Sequence, residues 1–205
     1  LGFLQRNLKH VTKVKQTAYH AYVRPTLEYA CPVWDLFHKV HIDALQRIQS
    51  IAARFILGKY DQYESSRDMK RDLKWQSLKE RRRNLRLKFF YSIYNKQTGI
   101  SGSDYLQPAH YQSSRLDHKF KVWSYTPRTD VFQNSFFPKT ISEWNLLRPD
   151  LVGRKTADLF YEFSCALPAI MPTKALQVMS EKKKRKFREN TFKCMSVNPS
   201  RGGSG

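Results

Sequence analysis

Apolar side chains recur every three or four positions along much of the N-terminal third of the chain. Leu1, Leu4 and Leu8 follow this spacing, and so does the segment 42–57, IDALQRIQSIAARFIL. Residues three and four apart lie on one face of an α-helix, so the spacing predicts amphipathic helices. Gly58 follows the second segment at the position where many helices end in a left-handed residue, which predicts a helix end there.

A second pattern fills the segment KWQSLKERRRNLRLKFFYSIYNKQTG, residues 74–99. Ser77 and Glu80 have the spacing of a capping box, which predicts a helix that starts at Ser77. The first half of this helix is rich in arginine, whereas the second half, residues 85–94, is apolar nearly all the way round. We therefore predict that the second half is anchored in the core and that the basic first half extends away from it.

Helical periodicity disappears over residues 100–130, where HKFKVWSY alternates apolar and polar positions and predicts a short strand. It resumes in SFFPKTISEWNLL, where Ile141, Trp144 and Leu147 stand three apart. This spacing predicts a helix that packs these three side chains into a core. Thr156 is a candidate N-cap for a last helix.

The elements predict a mainly α-helical chain in three parts. Residues 1–60 form a helical bundle, in which Pro25 kinks or restarts a helix because proline lacks the backbone N–H. Residues 61–167 form a small α-rich domain with the irregular or β segment near 100–130. Residues 168–205 contain EKKKRKFR and little apolar periodicity, which predicts a disordered basic tail.

The charge balance points to an anionic partner. The sequence has 37 Lys and Arg residues against 17 acids, a formal charge of +20 and a pI near 10.0. Such a field attracts RNA, DNA or an anionic membrane surface, and the alternative is a solvated basic surface without a partner. The sequence contains no run of about 18 apolar residues, so no membrane span is predicted. Residues 1–10 do not resemble a signal peptide. Three distant cysteines without a C-x-x-C pair indicate free thiols in a reducing compartment.

The acids do not predict a catalytic centre. Two-metal polymerases and nucleases need carboxylates held close together, and the sequence contains no two adjacent acids. Asp35, His38 and His41 are the one arrangement that resembles metal ligands. Pro32 and Trp34 place them near a loop and no fourth ligand is evident, so polar residues around a turn are the favoured interpretation. We therefore predict neither a catalytic nor a metal site.

Clustered basic residues are the stronger functional signal. Between Arg67 and Lys88 the sequence has ten basic residues and three acids. Lys and Arg at this density neutralise phosphates and give an affinity that depends on salt rather than on sequence. Aromatic residues interleaved with such clusters can stack on bases, although each is more often part of a core; the candidates are Tyr60, Tyr63, Trp75 and Trp123.

Five blocks of the sequence, in order, resemble one family. They are LGFLQRNLK, TAYHAYVRPTLEYACPVWD, IDALQRIQSIAARFILGKY, LKWQSLKERRRNLRLKFFYSIYN and RTDVFQNSFFPKTISEWNLL. They resemble the C-terminal part of reverse transcriptases encoded by jockey-like non-LTR retrotransposons, over residues 1 to about 167. The blocks VRPTLEYACPVWD and SFFPKTISEWN are specific to that family. The tail from about Pro168 does not share the resemblance.

The resemblance implies a thumb-like bundle over residues 1–60 followed by the family's C-terminal domain. In that family the catalytic palm, with its paired aspartates and Mg²⁺, lies upstream, so the resemblance implies a fragment that holds no cofactor and has no catalysis of its own. It implies binding to RNA and to an RNA–DNA duplex, contact with the palm, no membrane, and a ribonucleoprotein of the nucleus and cytoplasm. Arg47 and Arg54 are the candidate backbone contacts in the thumb.

A second candidate patch is inferred from charge alone and consists of Arg81, Arg82, Arg83 and Arg86. Two further hypotheses remain open. In the first, the helical bundle is a host-adopted module that binds a protein and no nucleic acid. In the second, the chain is a small metal-dependent nuclease that uses Asp35, His38 and His41.

Overall fold

The computed structural model describes residues 1–9, 11–61, 63–112 and 117–166, and this part of the chain is mainly α-helical, as predicted. One π-helix and one 3₁₀-helix, Tyr19–Val23 and Gly102–Asp104, accompany the α-helices. The α-helices are α1 Gly2–Asn7, α2 Thr12–Ala18, α3 Arg24–Glu28, α4 Cys31–Trp34, α5 Lys39–Leu57, α6 Ser66–Asp72, α7 Leu78–Tyr94, α8 Asp130–Gln133, α9 Phe136–Trp144, α10 Pro149–Val152 and α11 Ala157–Ala166.

Residues 100–130 contain less regular structure than predicted. In place of the expected short strand there is one isolated antiparallel bridge between Pro108 and Val122, and the described residues contain no strand. The backbone of Val122 is hydrogen-bonded to the side chain of Asn145 and not to a neighbouring strand. Asn145 accepts from the Val122 N–H (3.0 Å) and donates to the Val122 carbonyl (2.7 Å). The predicted tail, 168–205, lies outside the described residues.

The first apolar cluster lies among the N-terminal helices. Helix α5 extends from Lys39 to Leu57, and Gly58 ends it in the left-handed conformation (φ 68°), which confirms both predictions. Ala52, Phe55 and Ile56 of this helix are buried together with Leu4 and Tyr19. Leu73 and Trp75 also pack against this cluster, so residues beyond position 60 contribute to it. The division of the chain near residue 60 stays a prediction.

At Pro25 a new helix begins without a gap in the helical chain. The π-helix Tyr19–Val23 leads directly into α3, and Pro25 occupies its first turn, where a missing N–H is not needed. The chain then turns through Ala30 in the left-handed region (φ 48°) and enters α4. These turns bring Glu28 and Asp35 to the surface of α7.

The second apolar cluster surrounds Trp144 of α9. This side chain is fully buried against Phe90 and Phe160, and its Nε1 donates to the Phe120 carbonyl at 3.0 Å. Ile141 and Leu147 are buried beside it, which confirms the packing predicted from their spacing. Thr156 caps α11 by accepting from the Leu159 N–H (3.2 Å), also as predicted. Trp144 is thus a core residue and is not available to stack on a base.

Helix α7 connects the two clusters. It begins at the predicted capping box: Ser77 accepts from the Glu80 N–H, and Glu80 accepts from the Ser77 N–H. The prediction that its basic first half extends into solvent is wrong, because Leu78, Arg82 and Arg86 are buried. Helices α3, α4, α9 and α11 pack around it. None of the described helices is long and apolar enough to cross a membrane.

Candidate nucleic-acid interface

Arg82 and Arg86, two of the predicted contacts, lie inside the protein. Their side chains are 1% and 2% exposed. Arg86 forms an ion pair with Asp35 and a second with Glu143 (2.7 Å), and Arg82 Nε lies 3.6 Å from Asp35. Their assignment to a surface patch is wrong because acids from other elements meet them at the helix surface. A phosphate backbone cannot reach either guanidinium without opening the fold.

Arg81 and Arg83, on either side of Arg82, are also paired with acids. Arg81 forms a bidentate pair with Glu28, and this hydrogen bond raises the pKa of Arg81 further. Arg83 donates to Glu143 at 2.8 Å. Lys139 of α9 adds a further contact, with Nζ 2.8 Å from Asp35. Burial and the charge of Arg86 lower the pKa of Lys139 to about 8.

These pairs make the arginine run a structural junction. Glu28 belongs to α3, Asp35 lies in the turn after α4, and Glu143 belongs to α9. Charge-assisted hydrogen bonds therefore connect three elements to α7. A buried arginine keeps its charge only when such partners replace the water it has lost. We name the group Asp35, Arg82, Arg86, Lys139 and Glu143 the α7 junction.

The candidate contacts on α5 have a different setting. Arg47 is exposed on α5. Arg54 is half-buried, and its Nη2 lies 3.4 Å from the Glu64 carbonyl oxygen. Both stand on the polar side of α5, away from the buried Ala52 and Phe55. Their role in binding a nucleic-acid backbone stays a prediction.

A basic groove lies along α6, within the basic stretch between Arg67 and Lys88, although its cations were not among the predicted site residues. It has a volume of about 740 Å³. Four cations line it: Arg67, Lys70 and Arg71 stand at positions i, i+3 and i+4 on one face of α6, and Lys74 follows just after the helix ends. That spacing is the signal by which the sequence could have revealed it. We name it the α6 groove; its lining is Ser65, Ser66, Arg67, Lys70, Arg71, Lys74, Trp75 and Ser77.

Local structure presents this groove to solvent. Ser65 caps α6 by accepting from the Arg67 N–H (3.3 Å), and Met69 fixes the opposite side of the helix in the interior. Lys74 then adopts a left-handed backbone (φ 54°), which turns the chain sharply after the helix. Trp75 follows, and its ring stacks on Tyr19 with centroids 4.5 Å apart.

The groove carries an excess of positive charge. Arg71 pairs with Asp68 at 2.8 Å, but this pair is exposed and therefore weak. Burial and the nearby charge of Arg67 lower the pKa of Lys70, as expected where cations crowd together. An anion bound between them would relieve this repulsion. Two of the candidate stacking residues, Tyr60 and Tyr63, precede α6 and are 65% and 87% exposed.

The Asp35, His38 and His41 arrangement does not form a metal centre in the described part of the chain. Asp35 belongs to the α7 junction, where cations occupy its carboxylate. The rings of His38 and His41 lie 6.1 Å apart. No group of three or more His, Cys, Asp or Glu side chains among the described residues could hold a metal ion.

Comparison with known proteins found no match to this chain among protein-family models, curated proteins or solved structures.

Proposed function

We propose that this chain is the C-terminal part of a jockey-like non-LTR retrotransposon reverse transcriptase and that it binds the backbone of nucleic acid, including an RNA–DNA template–primer duplex. The reverse-transcriptase assignment depends on the sequence resemblance. The binding function depends on one structural observation, the α6 groove, where three cations of α6 and Lys74 just after it lie beside an aromatic ring. Catalysis is not part of the proposal, because the polymerase active site of that family belongs to the palm.

Charge and geometry favour a polyanion in the α6 groove over a small anion. The groove is open along a helix, and its cations are spread over two turns from Arg67 to Lys74. Successive phosphates of a backbone could each meet one of these cations. Arg47 and Arg54 of α5 remain candidates for further contacts on the same polyanion.

The test is the salt dependence of binding by the full chain. Affinity for a blunt RNA–DNA hybrid, measured by fluorescence anisotropy, should fall on the order of 10²-fold between 50 and 200 mM salt if about four phosphates are neutralised. The double variant Arg67→Glu/Arg71→Glu should bind weakly and show a shallower salt slope.

The matched control is Lys96→Glu/Arg128→Glu, which makes the same change in net charge at two exposed residues away from the groove. It should lose much less affinity than the groove variant. Equal losses in both variants would indicate a non-specific charge effect and would contradict the assignment to the α6 groove. Binding that does not respond to salt would contradict the nucleic-acid function as a whole.

A second candidate function, a module that binds a protein partner, is favoured by an apolar groove of about 750 Å³ between α1, α3 and α5. Phe3 and Tyr22 line it and are 68% and 72% exposed. Exposed apolar surface of this kind often marks a protein-binding site. Phe3→Glu should abolish such an association and leave binding to the RNA–DNA hybrid unchanged. If Phe3→Glu instead abolished binding to the hybrid and left the protein association intact, this second candidate function would be contradicted.

A further inference from the structure

A small polar cavity adjoins the α6 groove and shares Lys74 and Trp75 with it. Its volume is about 260 Å³. Tyr19 and His20 contribute from the π-helix, and Gln76 from the turn before α7. The remaining lining residues are Arg24, Gln49, Leu73, Arg81 and Cys165.

Four of the lining residues carry a buried polar atom that has no hydrogen-bond partner among the described residues. The atoms are Tyr19 Oη, His20 Nε2, Trp75 Nε1 and Gln76 Oε1. Buried polar atoms in folded proteins are paired in the large majority of cases, because an unpaired one has lost its water without compensation. A polar guest in the cavity could satisfy all four atoms.

The backbone around the cavity is unusual in two places. Tyr19 and His20 open a π-helix, a rare conformation that is found often at functional sites. Lys74 has a left-handed backbone, which directs the chain into Trp75. The Tyr19 and Trp75 rings stack with an interplanar angle of 19°, and Tyr19 is only 1% exposed. The unpaired phenol is therefore held in a fixed position.

The chemistry of the unpaired atoms distinguishes between guests. The indole of Trp75 can only donate, Gln76 Oε1 can only accept, and the phenol of Tyr19 can do both. A backbone phosphodiester offers acceptors alone and would leave the Gln76 side-chain carbonyl unmatched. The edge of a nucleobase carries both donors and acceptors. Burial and the charge of Arg24 lower the pKa of His20, and the unpaired Nε2 of its neutral ring donates in one tautomer and accepts in the other.

Size and charge agree with a base rather than a larger ligand. The volume of about 260 Å³ lies just below the roughly 300–1,000 Å³ of pockets for drug-sized ligands. Arg24 and Lys74 bring positive charge to the cavity, and Lys74 continues into the α6 groove. A nucleotide whose base entered the cavity would thus have its phosphate beside the groove.

We propose that the cavity binds the base of one unpaired nucleotide while the phosphates of the same strand lie in the α6 groove. This inference rests on the proposed nucleic-acid function and adds to it a preference for single-stranded segments next to a duplex. The base is read by Tyr19, Trp75 and Gln76 through hydrogen bonds.

The experiment compares three RNA–DNA hybrids with the full chain by fluorescence anisotropy. One is blunt, one carries a short thymidine overhang, and one carries an overhang of equal length with abasic sites. The two overhangs have the same phosphate charge and differ only in their bases. The wild-type chain should bind the thymidine overhang about three- to tenfold more tightly than the abasic one, the range expected for one or two hydrogen bonds.

The decisive variant is Tyr19→Phe, which removes the unpaired hydroxyl and keeps the ring that stacks on Trp75. It should reduce the preference for thymidine over abasic overhangs and leave affinity for the blunt hybrid unchanged. Trp75→Phe should also reduce this preference, and because Trp75 lines the α6 groove as well, only its ratio of thymidine to abasic affinity is compared. Tyr111→Phe, at a residue that is 76% exposed and outside the cavity, is the matched control and should have no effect.

The outcomes separate the two proposals. Equal affinity of the wild-type chain for thymidine and abasic overhangs, with normal binding of the blunt hybrid, would overturn the cavity assignment and leave the backbone function intact; the cavity would then hold water only. A preference for thymidine that Tyr19→Phe and Trp75→Phe leave unchanged would also overturn it. Failure of all three hybrids to bind would instead refute the proposed function.

Discussion

Two basic segments of this protein look alike in the sequence and differ in the fold. Residues 67–74 carry four cations and residues 81–86 carry four arginines. The first set lines an open groove along α6, whereas the second is paired with acids on α7, and two of its members are buried. Local charge density therefore did not reveal which segment faces solvent.

The difference lies in the neighbours that each segment meets. The acids that pair with the arginines of α7 are Glu28, Asp35 and Glu143, which stand 47 to 60 positions away in the pairs they form. The acids close to the α6 cations, Asp68 and Asp72, lie on the same helix and are exposed. Where a fold supplies carboxylates to an arginine run, the run becomes part of the interior. Where it does not, the charge remains available to an external anion.

The largest expected effect comes from breaking the α7 junction. Asp35→Ala should lower the free energy of unfolding by about 3–5 kcal/mol, because it leaves the buried Arg82 and Arg86 without their shared counter-charge. Urea denaturation followed by circular dichroism measures the loss. Asp43→Ala, at an exposed acid of α5, is the control and should change little. A loss of less than about 1 kcal/mol at Asp35 would show that the junction is not structural.

The next prediction concerns the α6 groove and is the counterpart of the first. Arg67→Glu/Arg71→Glu should change the free energy of unfolding by no more than about 0.5 kcal/mol, since both side chains are exposed. The same variant should lose at least about tenfold in affinity for the RNA–DNA hybrid at low salt. Unfolding of this variant would mean that the groove, like the junction, stabilises the fold.

A smaller effect is expected from pH at the junction. The pKa of Lys139 is about 8 in the folded protein against 10.5 for an ordinary lysine, so the unfolded chain binds this proton more tightly. The free energy of unfolding should therefore rise as the pH increases from about 8 to 10.5. Lys139→Met should flatten this rise. The measurement is a urea-denaturation series over that pH range, and identical slopes for the two proteins would exclude Lys139 as the source.

The smallest effect should follow Asp68→Ala. This variant removes the exposed partner of Arg71, which costs well under about 1 kcal/mol of stability. It also adds one net positive charge to the α6 groove. Affinity for the RNA–DNA hybrid should rise about two- to threefold at low salt, and the gain should vanish at high salt. Weaker binding would indicate that Asp68 orients Arg71 for its ligand.

The sequence was informative where a few neighbouring residues decide the structure. The cap at Gly58, the capping box of Ser77 and Glu80, and the burial of Trp144 all follow from local spacing, and all are present in the fold. The overall helical class follows from the same periodicity. The prediction of a short strand was wrong because the side chain of Asn145 forms the hydrogen bonds of the Val122 backbone that a neighbouring strand would have formed.

The candidate sites depended on residues distant in the sequence and were harder to predict. Arg82 and Arg86 stand four apart in line with the buried Leu78 and Phe90, and this alignment was the available signal that they face inward. The spacing of the α6 cations was a similar signal. The cavity beside Trp75 had none, because Tyr19 reaches it through a π-helix more than 50 positions upstream.

The packing of α11 on α7 has a consequence for the order in which the chain folds during synthesis. Asn84 of α7 donates to the Ser164 carbonyl of α11, 80 positions later, and Phe160 of the same late helix completes the cluster around Trp144. At the usual 5–20 residues per second, a ribosome needs about 4–16 s to make that stretch. During this interval the aromatic face of α7 is uncovered, so the nascent chain passes through a period of vulnerability to aggregation that ends only when α11 emerges.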